Sequence, residues 1–356
     1  MTSINESKLE QLLGRVIGDI GALTTAPLVV IGDELGLYRA MADGTPVSAA
    51  GLAERTGMAE RYVREWLAAQ AASGYVTFDG MRDAVGWYRM EPEQVEAFVN
   101  EDSPAFVIGG FQAFGAAVKV LPRLAEVFRT GRGIGWDEHD PALFSGTARF
   151  FHPGYAAHLV SEWLPALDGV ADKLSAGGRV ADVGCGYGYS TVLMAEAFPA
   201  STFAGFDYHQ PSIDAARKIA ADAHIGDRVG FQVARATDFP GTGYDLITYF
   251  DCLHDMGDPV GALAHARETL APGGSVMLVE PFAADSIQDN LNPLGRAFYG
   301  ASTLICTPAS LAQDVGRGLG AQAGEEALRK VAAEAGLSRF HRAAQTPFNL
   351  VLQARR

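Results

Sequence analysis

The sequence predicts an α/β protein: a doubly wound, mostly parallel sheet with a C-terminal antiparallel hairpin, preceded by a mostly helical domain. Three observations carry this. Residues 172–281 alternate short apolar runs with helix-periodic stretches, as successive βαβ units do. One of those runs, Val180, Ala181 and Val183, breaks into glycines at alternate positions and reopens as a helix. The first hundred residues instead show helical periodicity punctuated by caps and glycine stops.

At 356 residues two domains are expected, divided into 1–150 and 151–356, with a helical insertion at 286–319. Hydrophobic residues at 48% and charged residues at 20% give an ordinary globular balance. A net charge of −14 argues against a protein that coats nucleic acid or anionic membrane. Cys185, Cys252 and Cys306 have no metal-type spacing and are odd in number, so a reduced cytoplasmic setting and no metal are expected. The first residues lack the basic and apolar regions of a signal peptide. The apolar runs near 26–31 and 105–120 are too short or too glycine-rich to cross a bilayer core of ~30 Å, so no membrane association is expected.

Along the chain, residues 8–41 have apolar positions at helical spacing. A capped helix ending at Gly57, a second helix from about Met58, and two short strands around a polar tip (from Gly74 and from Trp87) make a winged helix-turn-helix. DNA binding is the obvious reading, but the charges oppose it. Between Thr45 and Met90, Arg55, Arg61, Arg64, Arg82 and Arg89 are matched by Glu54, Glu60, Glu65, Asp79 and Asp83, without a lysine. Phosphate positioning wants a basic face. Dimerisation and walling of an active site is the preferred role, and nucleic acid is not expected as a partner.

Residues 92–168 are helical and rich in aromatics, most of them packing, a minority available for an acceptor pocket between the domains. The stretch 286–319 reads as a cover over the acceptor site or as packing against a partner subunit. Residues 339–343 and 348–353 would close the sheet as a hairpin.

The glycine loop, Asp182-Val-Gly184-Cys185-Gly186-Tyr187-Gly188-Tyr189, lies between strand and helix, where backbone amides can face a ligand. A nicotinamide fingerprint would put its third glycine at Tyr189. Asp182, just ahead of the loop, would suit a cation better than a pyrophosphate. The next strand ends in Asp207, followed by Tyr208, at the place where a carboxylate takes ribose hydroxyls.

Over residues 150–356 the chain resembles the class I S-adenosylmethionine-dependent methyltransferases, with their Rossmann-like sheet. The matching motifs are 180–188, Phe206-Asp207, Ala236-Thr237-Asp238-Phe239, the strand and loop at 244–255, and the turn and strand at 270–280. The resemblance implies S-adenosyl-L-methionine as methyl donor. It assigns its binding to Asp182, Gly184, Cys185, Gly186, Gly188, Asp207, Tyr208, Thr237, Asp238, Phe239, Phe250, Asp251 and Cys252, with Asp238 and Phe239 bracketing the adenine. His152 and Tyr155 are candidates beside the methionine end. With its N-terminal winged helix the chain is similar to small-molecule O-methyltransferases, which implies a homodimer through the N-terminal domain and a small acceptor methylated at oxygen. In those enzymes a His-Asp pair like His254-Asp255 deprotonates a hydroxyl. Here Met256 stands where tryptophan is usual, and Glu325 or Glu326 is the expected helper. Methyltransferases that need no base also carry histidine in this loop. His139, His158, His209, His224, His265 and His341 read as solvated or structural. The alternatives are a winged-helix transcriptional regulator with a ligand-sensing domain, and a nicotinamide oxidoreductase.

Overall fold

The computed structural model describes residues 4–356, which divide into two compact units between Gly115 and Ala116. The first begins with α1 (Glu6–Glu34), capped by the Asn5 side chain, which accepts from the Lys8 amide at 3.0 Å. Strand β1 (Val47–Ser48) leads into α2 (Ala49–Thr56), stopped by Gly57 at φ 72°, a left-handed conformation natural to glycine. Then come α3 (Glu60–Ala72), the wing strands β2 (Thr77–Arg82) and β3 (Val85–Arg89), and α4 (Pro92–Phe98). The small sheet has order β1-β3-β2, and Tyr38, Met41, Leu52, Trp66 and Leu67 fill the core. The expected winged helix is present.

One expectation changes here. Taken run by run the sequence offers no membrane-spanning stretch, yet α1 as a whole is long and apolar enough to cross a membrane by length and composition. Its apolar side chains are largely uncovered: Leu12 is 55% exposed, Ile17 67% and Leu23 68%. Arg15 and Asp19 interrupt the apolar surface.

Helix α5 (Ile108–Ala117) runs across the division. The second unit continues with α6 (Leu121–Thr130), α7 (Pro141–His158), a π-helical turn at Leu159–Trp163, α8 (Leu164–Ala166) and α9 (Val170–Ala176). The division falls earlier than the boundary expected at 150, a position that lies inside α7, whose later residues belong to the sheet's core. Tyr155, Leu159 and Trp163 pack in one cluster with Val180, Met194 and Leu246.

The alternation that follows is β4 (Arg179–Val183), α10 (Tyr189–Ala197), β5 (Thr202–Asp207), α11 (Gln210–Asp222), β6 (Val229–Val233), β7 (Tyr244–Phe250), α12 (Pro259–Thr269) and β8 (Leu270–Pro281). The insertion holds α13 (Pro293–Ala301), a π-helical turn at Ser302–Cys306 and α14 (Thr307–Leu311). Helix α15 (Gly324–Glu334), β9 (Arg339–Gln345) and β10 (Asn349–Arg355) complete the chain. The seven strands lie in the order β6-β5-β4-β7-β8-β10-β9, with β10 antiparallel to both neighbours. Alternate residues feed opposite faces: Val180, Leu246 and Val351 one cluster, Ala181, Ile247 and Leu350 the other. The order steps outward from β4 toward β5 on one side and β7 on the other. Their carboxyl ends therefore splay around a crevice, the place where ligands bind in this architecture.

Candidate active site at the carboxyl ends of the parallel strands

A cavity of about 640 Å³ opens at those strand ends, within the second unit. The glycine loop, β5, β7, α7, the 310 turn Trp136–Glu138 and the end of the insertion at Ala312–Val315 wall it. A second cavity of about 330 Å³, between Phe282, Asn290, Gln322 and Thr346, includes none of the glycine-loop residues.

Among the expected site residues, Gly184, Cys185, Gly186, Asp207, Tyr208, Thr237, Phe250, Asp251 and Cys252 line the larger cavity, as do His152 and Tyr155. Asp182, Gly188, Asp238, Phe239 and His254 are not part of its wall.

Each absence has a cause. Asp182 is 1% exposed and already satisfied: Ser190 and Thr191 hydroxyls donate to Oδ2 at 2.7 and 2.6 Å, and Thr248 donates to Oδ1 at 3.0 Å. Burial pushes its pKa up, and the Thr191, Ser190 and Thr248 bonds act in the other direction. It braces the first turn of α10 from behind. Gly188, at φ 75°, is needed for packing, since a Cβ there would sit 2.7 Å from the Phe231 ring and 2.9 Å from the Ala216 Cβ. Asp238 is exposed and its Oδ1 accepts from the Arg235 amide at 3.2 Å. Phe239 is 1% exposed, stacked on Phe206 and edge-on to His265. The adenine bracket expected of these two is replaced in the wall by Ala234, Arg235, Ala236 and Thr237.

His254 lies behind the site. Its ring is held by Glu280, Nδ1 to Oε2 at 2.6 Å, and Glu280 Oε1 also accepts from the Leu253 amide. Burial disfavours the charged ring, yet Glu280 and the neighbouring Cys306 hold its pKa well above the ordinary histidine value. A base role for His254 finds no support in that placement. Nor does either expected helper: Glu325 is occupied by Arg329 and Arg342, and Glu326 pairs with Lys330.

The loop amides are also committed. Gly184 and Cys185 donate to the Phe206 carbonyl at 2.7 and 3.0 Å, Gly188 to the Cys185 carbonyl at 2.8 Å, and Gly186 to Asp207 Oδ2 at 3.0 Å. The expected row of ligand-facing amides is absent at these four positions. The loop makes room and aims Asp207, whose Oδ1 takes the His209 amide at 2.8 Å.

The wall also holds Phe144 and Trp136, which the sequence did not single out, and His209, which it read as solvated or structural. His209 is stacked on Phe144 with centroids 4.1 Å apart, and both line the cavity, so His209 is not simply solvated. The rings of Tyr189 and His152 lie 4.3 Å apart, tilted by 36°. Trp136 donates its indole N–H to Asp255 Oδ2 at 2.8 Å. Asp251 has φ 48°, a left-handed conformation rare outside glycine. It is held there by its amide to the Val279 carbonyl (2.7 Å), Tyr155 Oη to Oδ2 (2.7 Å) and Asn349 Nδ2 to Oδ1 (2.9 Å). Burial pushes the Asp251 pKa up to about 7 and that of Asp255 up to about 6. Asp137, Asp207, Asp251, Asp255, Asp258 and Asp314 thus share one cavity, with Arg235 as its basic side chain, 3.5 Å from Asp314. Among the described residues no group of three or more His, Cys, Asp or Glu could hold a metal ion.

A nucleotide pyrophosphate would find the amides taken and carboxylates around it. A positively charged ligand with ribose hydroxyls fits this cavity: Asp207 faces it, and its walls are acidic. Residues 174–336 match the model of a methyltransferase domain, and residues 23–99 that of an Rv2258c-like winged HTH domain. The chain carries a methyltransferase domain. The domain is similar to 27-O-demethylrifamycin SV methyltransferase of Amycolatopsis mediterranei, 28% identical over 154 residues, covering 41% of this chain and 56% of that one. The chain thus spans about half the length of this relative. Among solved structures, mitomycin 7-O-methyltransferase MmcR superposes with a TM-score of 0.70 at 19% identity, over 98% of this chain and all of that one. Human N-acetylserotonin methyltransferase, solved with S-adenosylmethionine, gives 0.73 at 17% identity, over 100% and 99% of the two chains. At such identities these two show that the methyltransferase domain and the winged helix share their folds.

Proposed function

We propose that the protein transfers a methyl group from S-adenosylmethionine to a hydroxyl oxygen of a small aromatic acceptor. The observation that carries this is the pairing of a glycine loop whose amides are used internally with an Asp207 carboxylate aimed into an acidic cavity. S-adenosylmethionine, when bound, supplies a methyl carbon already activated by positive sulfur. What remains for the protein is positioning, worth ~7–11 kcal/mol by effective-molarity arguments. Asp207 would hold the ribose, with His209 and Phe144 beside it. Phe250, Asp251 and Cys252 would flank the methionine end, and burial keeps the Cys252 thiol well above its usual pKa, so it stays neutral. Trp136, Phe151 and Met256 offer apolar surface to an aromatic ring. The carboxylates would repel an anionic acceptor, which favours a neutral phenol over a carboxylic acid.

The regulator alternative has little in its favour. In the winged helix Arg55 lies 3.8 Å from Asp43, Arg61 pairs with Glu65, Arg64 with Glu60, Arg82 with Asp79, and Arg89 with Asp79 and Glu91. Each arginine between residues 45 and 90 thus has a carboxylate within 4 Å. The exposed apolar face of α1 supports a homodimer, and Arg15 and Asp19 within it disfavour a membrane span. Three cysteines without a disulfide suit a reducing cytoplasm.

Calorimetry with S-adenosylhomocysteine and with NAD tests the donor: binding of the first alone is expected, and binding of NAD alone would overturn the reading. Methyl-labelled donor with naphthols, catechols, aliphatic amines and carboxylic acids tests the acceptor. Label in the phenols is expected; label only in amines or acids would refute oxygen transfer to a phenol.

A further inference from the structure

Methyl transfer to a neutral hydroxyl leaves a proton to be removed, and eight aspartate and histidine side chains line the cavity. Asp137 and Asp314 are solvent-exposed, His209 is held by Ser212 and Phe144, and His152 lies against Tyr189. Asp251 has both carboxylate oxygens committed, to Tyr155 and Asn349. Asp207 holds the amides of Gly186 and His209. Asp258 caps α12 through the Gly261 amide at 2.8 Å. Asp255 differs. It ends the 310 turn Leu253–Asp255, is 8% exposed and lines the cavity. Its Oδ2 takes the Trp136 N–H, and among the described residues none donates a hydrogen bond to Oδ1. An indole N–H only donates. It therefore fixes the carboxylate's orientation without competing for a proton. Trp136 also lines the cavity, so an aromatic ring against the indole would bring its hydroxyl toward this carboxylate.

Resting on the methyltransferase reading above, we propose that Asp255 is the general base, receiving the acceptor's hydroxyl proton on Oδ1 while His254 stays behind the wall. As the O–H proton passes to Oδ1, the acceptor oxygen's electron pair forms the new C–O bond. The C–S bond breaks with its pair moving to sulfur, and a neutral thioether remains. The proton then leaves Asp255 for solvent.

The groups facing Asp255 set its basicity. Burial raises its pKa most, Glu280 and Asp207 raise it further, and His254 and the Trp136 bond lower it. Tyr208 and Cys252, which also feel its charge, are themselves raised well above their ordinary values and stay neutral. The balance near 6 leaves Asp255 ionised at neutral pH yet a stronger base than an exposed carboxylate.

The test uses the full chain saturated with S-adenosylhomocysteine. The fluorescence of Trp136, taken as the difference from Trp136→Phe, should step near pH 6, and Asp255→Asn should abolish the step. With the first phenol that the wild type methylates, Asp255→Asn should lose about 100-fold or more in single-turnover rate and the acid limb of the pH profile. Its S-adenosylhomocysteine affinity should stay within about twofold, and Asp255→Glu should restore part of the rate. If Asp255→Asn does not fold, Trp136→Phe decides: losing the donor should move the acid limb to higher pH. A rate within about threefold of wild type, a fluorescence step that survives Asp255→Asn, or a limb unmoved by Trp136→Phe overturns the assignment. A wild type that binds no S-adenosylhomocysteine instead contradicts the donor reading.

Discussion

His254 and Glu280 form a buried pair, Nδ1 to Oε2 at 2.6 Å, with side chains 5% and 2% exposed. Removing one partner of such a pair strands the other, at a typical cost of about 3–5 kcal/mol. His254→Ala is therefore expected to lower the denaturation midpoint strongly. The folded pKa of His254 is raised, so the pair's stabilisation is complete below the unfolded value of ~6.5 and fades as pH rises through the folded one. The gap between wild type and variant should be wider at pH 6 than at pH 9. Equal midpoints at pH 6 would show that the pair is not charged.

Asp207 is expected to dominate donor affinity. Two ribose hydroxyls on one carboxylate make charge-assisted bonds of roughly 1.5–3 kcal/mol each. Asp207→Ala should weaken S-adenosylhomocysteine binding by at least about tenfold in calorimetry, the more so because it also anchors the Gly186 and His209 amides. Unchanged affinity would remove Asp207 from the site.

Gly188 separates packing from binding. Gly188→Ala would force a left-handed alanine, ~1–2 kcal/mol, and drive its Cβ against Phe231 and Ala216. Urea denaturation should report a loss of roughly 2–4 kcal/mol once overpacking is included. Donor affinity of the folded variant should change little, because Gly188 does not line the cavity. Full stability would mean that α11 and β6 yield more easily than their packing implies.

The helix α1 tests the dimer. Leu13 and Ile17 are 53% and 67% exposed, so Leu13→Glu with Ile17→Glu should leave the thermal midpoint of a monomer intact. Light scattering should then give 37.7 kDa, the mass of one chain, against twice that for the wild type. A wild type of single-chain mass would retire the dimer.

The alternation of strands and helices and the position of Asp207 were legible because both depend on local pattern: an apolar run, a turn, an acidic residue at the strand end. Asp182 misled because its partners are not local in one direction only. Ser190 and Thr191 fold back on it from α10, and Thr248 meets it across the β4–β7 pairing. His254 reads as a catalytic group in the sequence, and only its contact with Glu280, 26 residues away, reveals which way the ring points. The Trp136–Asp255 bond joins residues 119 apart, a separation that leaves no periodicity to read.

The six aspartates of the cavity bear on the end of the catalytic cycle as well as its beginning. Under the proposed reaction they face a cation before transfer and a neutral thioether afterwards. Carboxylates that attract the first have no charge to hold in the second, so the cavity's grip slackens at the moment the chemistry is complete. Turnover is then biased toward emptying the site, and raising the salt concentration should weaken capture of the fresh donor more than retention of the spent one.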